Sequence, residues 1–164
     1  MEEARQTLLD EAAIKKMHIR YCRGIDRMDW DLIRSCYHPD AIDDHGEFVG
    51  GIDAFIEYCK AGCPTFLSTT HMTGNQLVEV DGDTAWGEHY ARAFHRIRDE
   101  DGQLKDLVVN TRYVDVYERR DGEWRILRRK VVVDTDRVDP VNERWVPESQ
   151  LRSARDRTDP SYNP

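Results

Sequence analysis

The chain has 164 residues, which suits one domain around one core. Apolar residues make up 39% and charged residues 34%, the balance of a globular protein with a heavily charged surface. A net charge of −8 argues against a nucleic-acid partner, because phosphates demand clustered Lys and Arg and the run Arg128-Arg129-Lys130 is too short to supply them.

The N-terminal stretch MEEARQTLLDEAA is acidic and amphipathic, without the basic and apolar regions of a signal peptide. No stretch approaches the roughly 20 apolar residues that span a bilayer. A cytoplasmic protein without a membrane partner is therefore expected. Cys22, Cys36, Cys59 and Cys63 contain no C-x-x-C pair and read as reduced thiols, mostly buried.

Residues 4–28 read as a long helix, with Ile14, Met17, Tyr21, Ile25 and Met28 on one apolar stripe and Leu8, Ile19 and Cys22 on a weaker second one. Two stripes predict a helix covered from both sides. Asp29 is suited to cap a second helix from Trp30 to Tyr37, which Pro39 stops. AIDDHGEFVG reads as a strand broken at Gly46, and Asp53 as the cap of a third helix over Ala54–Cys59 or beyond.

After Pro64 the pattern changes to strands: Asn75–Val80, Thr84–Arg98, Leu107–Glu118 and Trp124–Val133. Asp81-Gly82, Asp101-Gly102 and Asp121-Gly122 separate them, and Asp-Gly is a strong hairpin signal. Helices first and an antiparallel meander second make an α+β fold. The expected form is a cone-shaped barrel, a curled sheet around the N-terminal helices with an internal pocket. Residues 1–136 form this domain, and the Pro-, Arg- and Asp-rich residues 137–164 are expected to be an extended tail lying on the domain or on a neighbouring subunit.

His71, in TTHMTGN, is a candidate base, since a neutral imidazole takes up a proton near physiological pH. Asp26 would hold its tautomer. Tyr21 is a candidate phenol donor. On a straight helix, however, Tyr21 and Asp26 stand about 140° apart and cannot share a stripe. By strand alternation Arg129 faces with Leu127 and Val131, away from Arg128 and Lys130, where it needs a buried partner or can stabilise charge on a substrate oxygen. His45, near a pocket mouth with Asp43 and Asp44, and His89, on a face of small residues with Ala85, Gly87, Ala91 and Ala93, are candidate substrate contacts. So are Asn110 and Trp30. Carboxylates dominate around His45 and no H-x3-H spacing occurs, so no metal is expected. No P-loop, G-x-G-x-x-G or G-x-S-x-G appears, which argues against nucleotide cofactors and serine hydrolysis.

The order helix–helix–strand–helix–meander resembles the nuclear transport factor 2-like, or cystatin-like, cone fold. RYCRGIDRMDWDLIRSCYHPDAIDDHG, TTHMTGNQLVEVDGDTAWGEHY and RYVDVYERRDGEWRILRRKVVVD resemble the opening, first hairpin and last hairpin of its SnoaL-like branch. That branch is similar to scytalone dehydratase, bile-acid 7α-dehydratase and hexachlorocyclohexane dehydrochlorinase. The resemblance implies a His–Asp dyad, matching His71 and Asp26, without metal or organic cofactor. Tyr21 stands five residues before Asp26, as in the bile-acid enzyme, and Arg129 matches a basic residue on the last strand. It implies a lyase acting on a small hydroxylated aromatic or polycyclic compound, by water elimination or retro-aldol cleavage. An isomerase or cyclase, an oxygenase small-subunit-like scaffold and a non-catalytic ligand binder are the alternatives of the same fold. A homo-oligomer is expected, trimeric by the resemblance and dimeric in other branches.

Overall fold

A computed structural model describes residues 1–142, 145–147 and 149–163. The first helix, α1 (Glu2–Arg27), ends where Met28 adopts a left-handed conformation, φ 50°. Ile14, Met17, Tyr21 and Ile25 of the predicted stripe are buried and Met28 is partly so. Of the second stripe only Cys22 is covered; Leu8 and Ile19 are exposed, so the helix is not buried from two sides. Asp29 caps α2 (Trp30–Ser35) by accepting the Leu32 N–H at 3.2 Å. Gly24 permits the close crossing of α1 and α2, since a Cβ there would stand 2.7 Å from Ile33 Cγ1.

Pro39 lies within β1 (Tyr37–Asp44) rather than stopping the second helix. A turn at Gly46, φ 80°, returns the chain as β2 (Val49–Gly51). The third helix, α3 (Ile52–Gly62), starts before its predicted cap, so Asp53 lies in its first turn and Gly51 holds the cap position. The meander is β3 (Ser68–Asp81), β4 (Thr84–Arg98), β5 (Leu104–Arg120) and β6 (Glu123–Pro140). Its hairpins turn at the Asp-Gly pairs. Gly82, Gly102 and Gly122 all have positive φ, as does Asp121, which with Gly122 makes the two-residue loop whose twist matches paired strands.

The strand order is β2-β1-β6-β5-β4-β3. Two expectations are corrected here. β1 runs parallel to β6, with Asp43 beside Arg129 in register, so the sheet is mixed. It also has two edges, β2 and β3, so it is an open curled sheet and not a closed barrel. The helices fill its concave face, and the core joins α1, α2 and α3 to the inward residues of β4–β6. β6 continues to Pro140, past the boundary expected at residue 136, because its last residues pair with Lys105–Val109 of β5.

Beyond β6 the chain returns to its own domain. Within the expected tail of 137–164, residues 143, 144, 148 and 164 lie outside the described set. Arg155 donates to the carbonyls of Cys63 and Phe66 at 2.6 and 2.7 Å. Tyr162 donates to Asp29 at 2.9 Å, and Asp159 pairs with Arg27 at 3.4 Å. These contacts bind the tail to the segment after α3 and to the C-terminal end of α1. Among the described residues no helix is long and apolar enough to cross a membrane.

Candidate active site

Asp26, on the last turn of α1, faces β3. Its Oδ1 accepts from His71 Nδ1 at 2.8 Å and from the Thr69 hydroxyl at 3.0 Å, while its Oδ2 accepts the His71 backbone N–H at 2.9 Å. A carboxylate only accepts, so Nδ1 carries the proton and Nε2 is left free to take one. Burial pushes the Asp26 carboxyl up, but the hydrogen bonds and charge from His71 outweigh it and the net shift is downward. Asp26 is therefore ionised at neutral pH.

The His71 ring edges a cavity of about 260 Å³ between α1, α3 and the concave face of the sheet. Ile25, Phe55, Phe66, Ala93, Val109 and Val131 make much of it apolar. The polar side chains that line it are the phenols of Tyr21, Tyr58 and Tyr113, the rings of His45, His71 and His95, the hydroxyls of Thr69 and Thr111 and the thiols of Cys59 and Cys63. An apolar cavity with a few convergent polar groups is the ordinary form of a small-molecule site.

Comparison with known proteins agrees with this architecture. Residues 6–130 match the family described as the SnoaL-like domain. The chain belongs to the SnoaL-like domain family. Rv2910c, an uncharacterized protein of Mycobacterium tuberculosis, is 30% identical over 124 residues, covering 73% of this chain and 82% of the relative. Two solved structures share the fold. One is hexachlorocyclohexane dehydrochlorinase LinA-type3 from Novosphingobium barchaimii, with TM-score 0.72 and 21% identity over 85% of this chain and 96% of that one. The other is a scytalone dehydratase-like protein from Novosphingobium aromaticivorans, with TM-score 0.72 and 22% identity over 93% of this chain and all of that one.

Within this SnoaL-like domain Tyr21 and Asp26 do project differently, as helical geometry requires. Tyr21 points into the sheet beneath the cavity, and Asp26 points sideways to β3. Tyr21 lines the cavity directly, whereas Asp26 reaches it only through His71 of β3. Burial pushes the Tyr21 phenol well up, so it remains a hydrogen-bond donor.

Arg129 is placed differently from the expectation. Its side chain is wholly buried and does not line the cavity. Tyr21 and Tyr113 cover its guanidinium at 4.1 and 4.5 Å. Nε and Nη2 donate to Asp115 at 2.8 and 2.6 Å, Nη1 to the Tyr37 hydroxyl at 3.2 Å, and Nη2 to His18 Nδ1 at 3.2 Å. A guanidinium with this many partners is a structural cation, unavailable to a substrate oxygen.

Three candidate substrate contacts are also corrected. His89 is fully buried behind Arg129, stacked on His18 at 4.2 Å and bonded to the Tyr117 hydroxyl at 2.7 Å. Asn110 lies exposed on the convex face, where it donates to Thr135 at 2.8 Å, because alternation turns it opposite to Thr111. Trp30 packs partly buried against the core and is not among the cavity residues. His45 does face the cavity. His18, His89 and Asp115 lie within 4.8 Å of one another, a spacing that invites a metal. Arg129 already supplies the positive charge beside Asp115 and hydrogen-bonds His18, so no cation is needed there.

His95 is the residue that sequence reasoning missed. It stands edge-on to His71 at 5.5 Å, and burial, with the neighbouring His71 charge, holds it down at about 4. It is neutral at physiological pH and its Nδ1 is buried without a partner. The signal was present: the small face Ala85, Gly87, His89, Ala91, Ala93 continues by alternation to His95.

Proposed function

We propose that this protein is a lyase that acts on a small, mostly apolar hydroxylated compound by proton abstraction at His71. The single observation that carries this is the 2.8 Å bond from His71 Nδ1 to Asp26 at the edge of an apolar cavity. Asp26 sets the tautomer, and Nε2 takes an acidic C–H or O–H proton from the substrate. The relatives in fold that are named as a dehydrochlorinase and a scytalone dehydratase-like protein support an elimination chemistry. The cavity volume of about 260 Å³ favours a one- or two-ring compound over a larger polycycle. An isomerase relying on an Asp base alone, or a binder with an apolar-only cavity, fits less well, since a carboxylate-bound histidine faces the cavity.

The test uses 4-hydroxy-4-phenylbutan-2-one, a small hydroxylated aromatic ketone. Loss of water yields the conjugated enone, and retro-aldol cleavage yields benzaldehyde and acetone, so one probe separates the two outcomes. The expected result is turnover by the wild type and a loss of at least about 100-fold in His71→Gln, the low end for removal of a general base. Full turnover in His71→Gln, or none in the wild type across related β-hydroxy ketones, would overturn the reading.

A further inference from the structure

The same cavity holds a second histidine–aspartate pair, at the end away from β3. We propose that His45, held by Asp43, is the general acid of the site and delivers the proton to the departing hydroxyl. This rests on the lyase reading above.

Both residues come from the end of β1 and the turn after it. Asp43 is fully buried and His45 Nδ1 donates to its Oδ1. The other carboxylate oxygen accepts from the Tyr37 hydroxyl at 2.6 Å, and that hydroxyl in turn accepts from Arg129 at 3.2 Å. Arg129 is anchored on Asp115. The buried cation thus serves the site at one remove: through Tyr37 it steadies the carboxylate that orients His45. The imidazole is fixed a second way, stacked on Phe55 at 4.7 Å and 25°. With Nδ1 committed to Asp43, Nε2 is the atom presented to the cavity, where it lies 3.5 Å from the Tyr21 hydroxyl.

Elimination of water needs two protic groups, one to accept the proton from carbon and one to protonate the poor hydroxide leaving group. His71 fills the first role. Arg129, sealed behind Tyr21 and Tyr113, cannot approach the leaving oxygen. His95 is held neutral and has no carboxylate bonded to its ring. His45 has the carboxylate partner that lets an imidazole carry its second proton. Tyr21 beside it, a phenol that stays protonated, suits the carbonyl oxygen of a β-hydroxy carbonyl compound, whose two oxygens lie close together. The step balances. His71 Nε2 takes the α-proton, the C–H pair becomes the C=C bond, and the C–O bond breaks. Its electrons leave with the hydroxyl, which takes the proton from His45 Nε2 and departs as water. His71 ends protonated and His45 neutral, and exchange with solvent restores both.

Three measurements on the full chain separate the roles. The first follows α-deuterium uptake by 4-phenylbutan-2-one in D2O, which needs a base and no leaving-group acid. The second follows dehydration of 4-hydroxy-4-phenylbutan-2-one, and the third elimination of acetate from its 4-acetoxy counterpart, a leaving group that needs little protonation. His45→Gln is expected to keep deuterium uptake and acetate elimination within about tenfold of wild type and to lose dehydration by 100-fold or more. Retained uptake also shows that the variant folds. Dehydration that survives in His45→Gln, or uptake and both eliminations that fall together in His45→Gln and His45→Asn, would overturn the assignment. Absence of uptake and of both eliminations in the wild type would instead overturn the lyase reading, and the assignment with it.

Discussion

Asp26 grips His71 at two points, the ring Nδ1 at 2.8 Å and the backbone N–H at 2.9 Å. The bond to the backbone holds β3 against the end of α1, and the bond to the ring sets its tautomer. One carboxylate thereby joins two elements that are 45 residues apart and defines the reacting nitrogen. Asp26→Asn removes the charge and offers an amide that can donate as well as accept. The expected result is a drop in kcat of about 10²-fold or more with a smaller change in KM, measured on the probe ketone. A variant with unaltered kcat would show that His71 needs no carboxylate.

Arg129 is expected to matter for folding before it matters for turnover. Arg129→Met removes the cation that, among the described residues, neutralises the fully buried Asp115. Breaking one side of a buried pair costs about 3–5 kcal/mol. Urea denaturation should show a loss of that order. A variant as stable as wild type would show that Asp115 does not depend on Arg129.

Low pH should unfold the protein through its buried histidines. Burial, with Arg129 nearby and only partly offset by Asp115, holds His89 down at about 4, and burial holds His95 at about 4. In the unfolded chain a histidine titrates near 6.5. Between these values the unfolded state binds more protons, so stability is full above about pH 6.5 and declines as pH falls toward 4. For His89, which is fully buried, the loss is of the order of 2–3 kcal/mol. The lowered Asp26 carboxyl adds a second loss at more acid pH, as it is protonated below its usual range. Urea midpoints at pH 7.5, 5.5 and 4.5 should fall in sequence, and His89→Gln should flatten the first part of the slope. Equal midpoints would contradict the burial of a neutral His89.

Self-association is expected through the convex face of the sheet. Met72 and Tyr90 border one shallow depression there, and Trp86 and Val116 another, all of them substantially exposed. Exposed apolar side chains grouped on one face are what a subunit contact would cover. Light scattering coupled to size exclusion should give a multiple of the 19.2 kDa chain mass, three by the resemblance to the lyases of this fold. Tyr90→Lys with Trp86→Lys should shift the mass toward one chain. A monomer in the wild type would remove this face as an interface.

Much of the fold is legible along the chain because its signals are local. The stripe Ile14, Met17, Tyr21, Ile25 announces α1, and the three Asp-Gly pairs announce the meander. Asp29 announces α2 by the chemistry of an exposed helix N–H. Local signals also misled. The apolar Leu8 and Ile19 suggested a helix covered on two sides, yet within one chain nothing covers them. Asn110 was a candidate substrate contact, but alternation carries it to the convex face.

The sequence by itself determined the order of elements, their turns, and the histidine and aspartate of the first pair. Tertiary structure alone decided that β1 lies parallel to β6, that Arg129 is sealed beneath Tyr21 and Tyr113, and that His95 joins His45 and His71 around one cavity. The division has a physical cause. Periodicity and capping depend on neighbours a few residues apart, which the sequence displays. Whether an ionisable side chain is buried, paired or open to a ligand depends on segments that meet only on folding, as Asp43 and Arg129 do across the parallel pair.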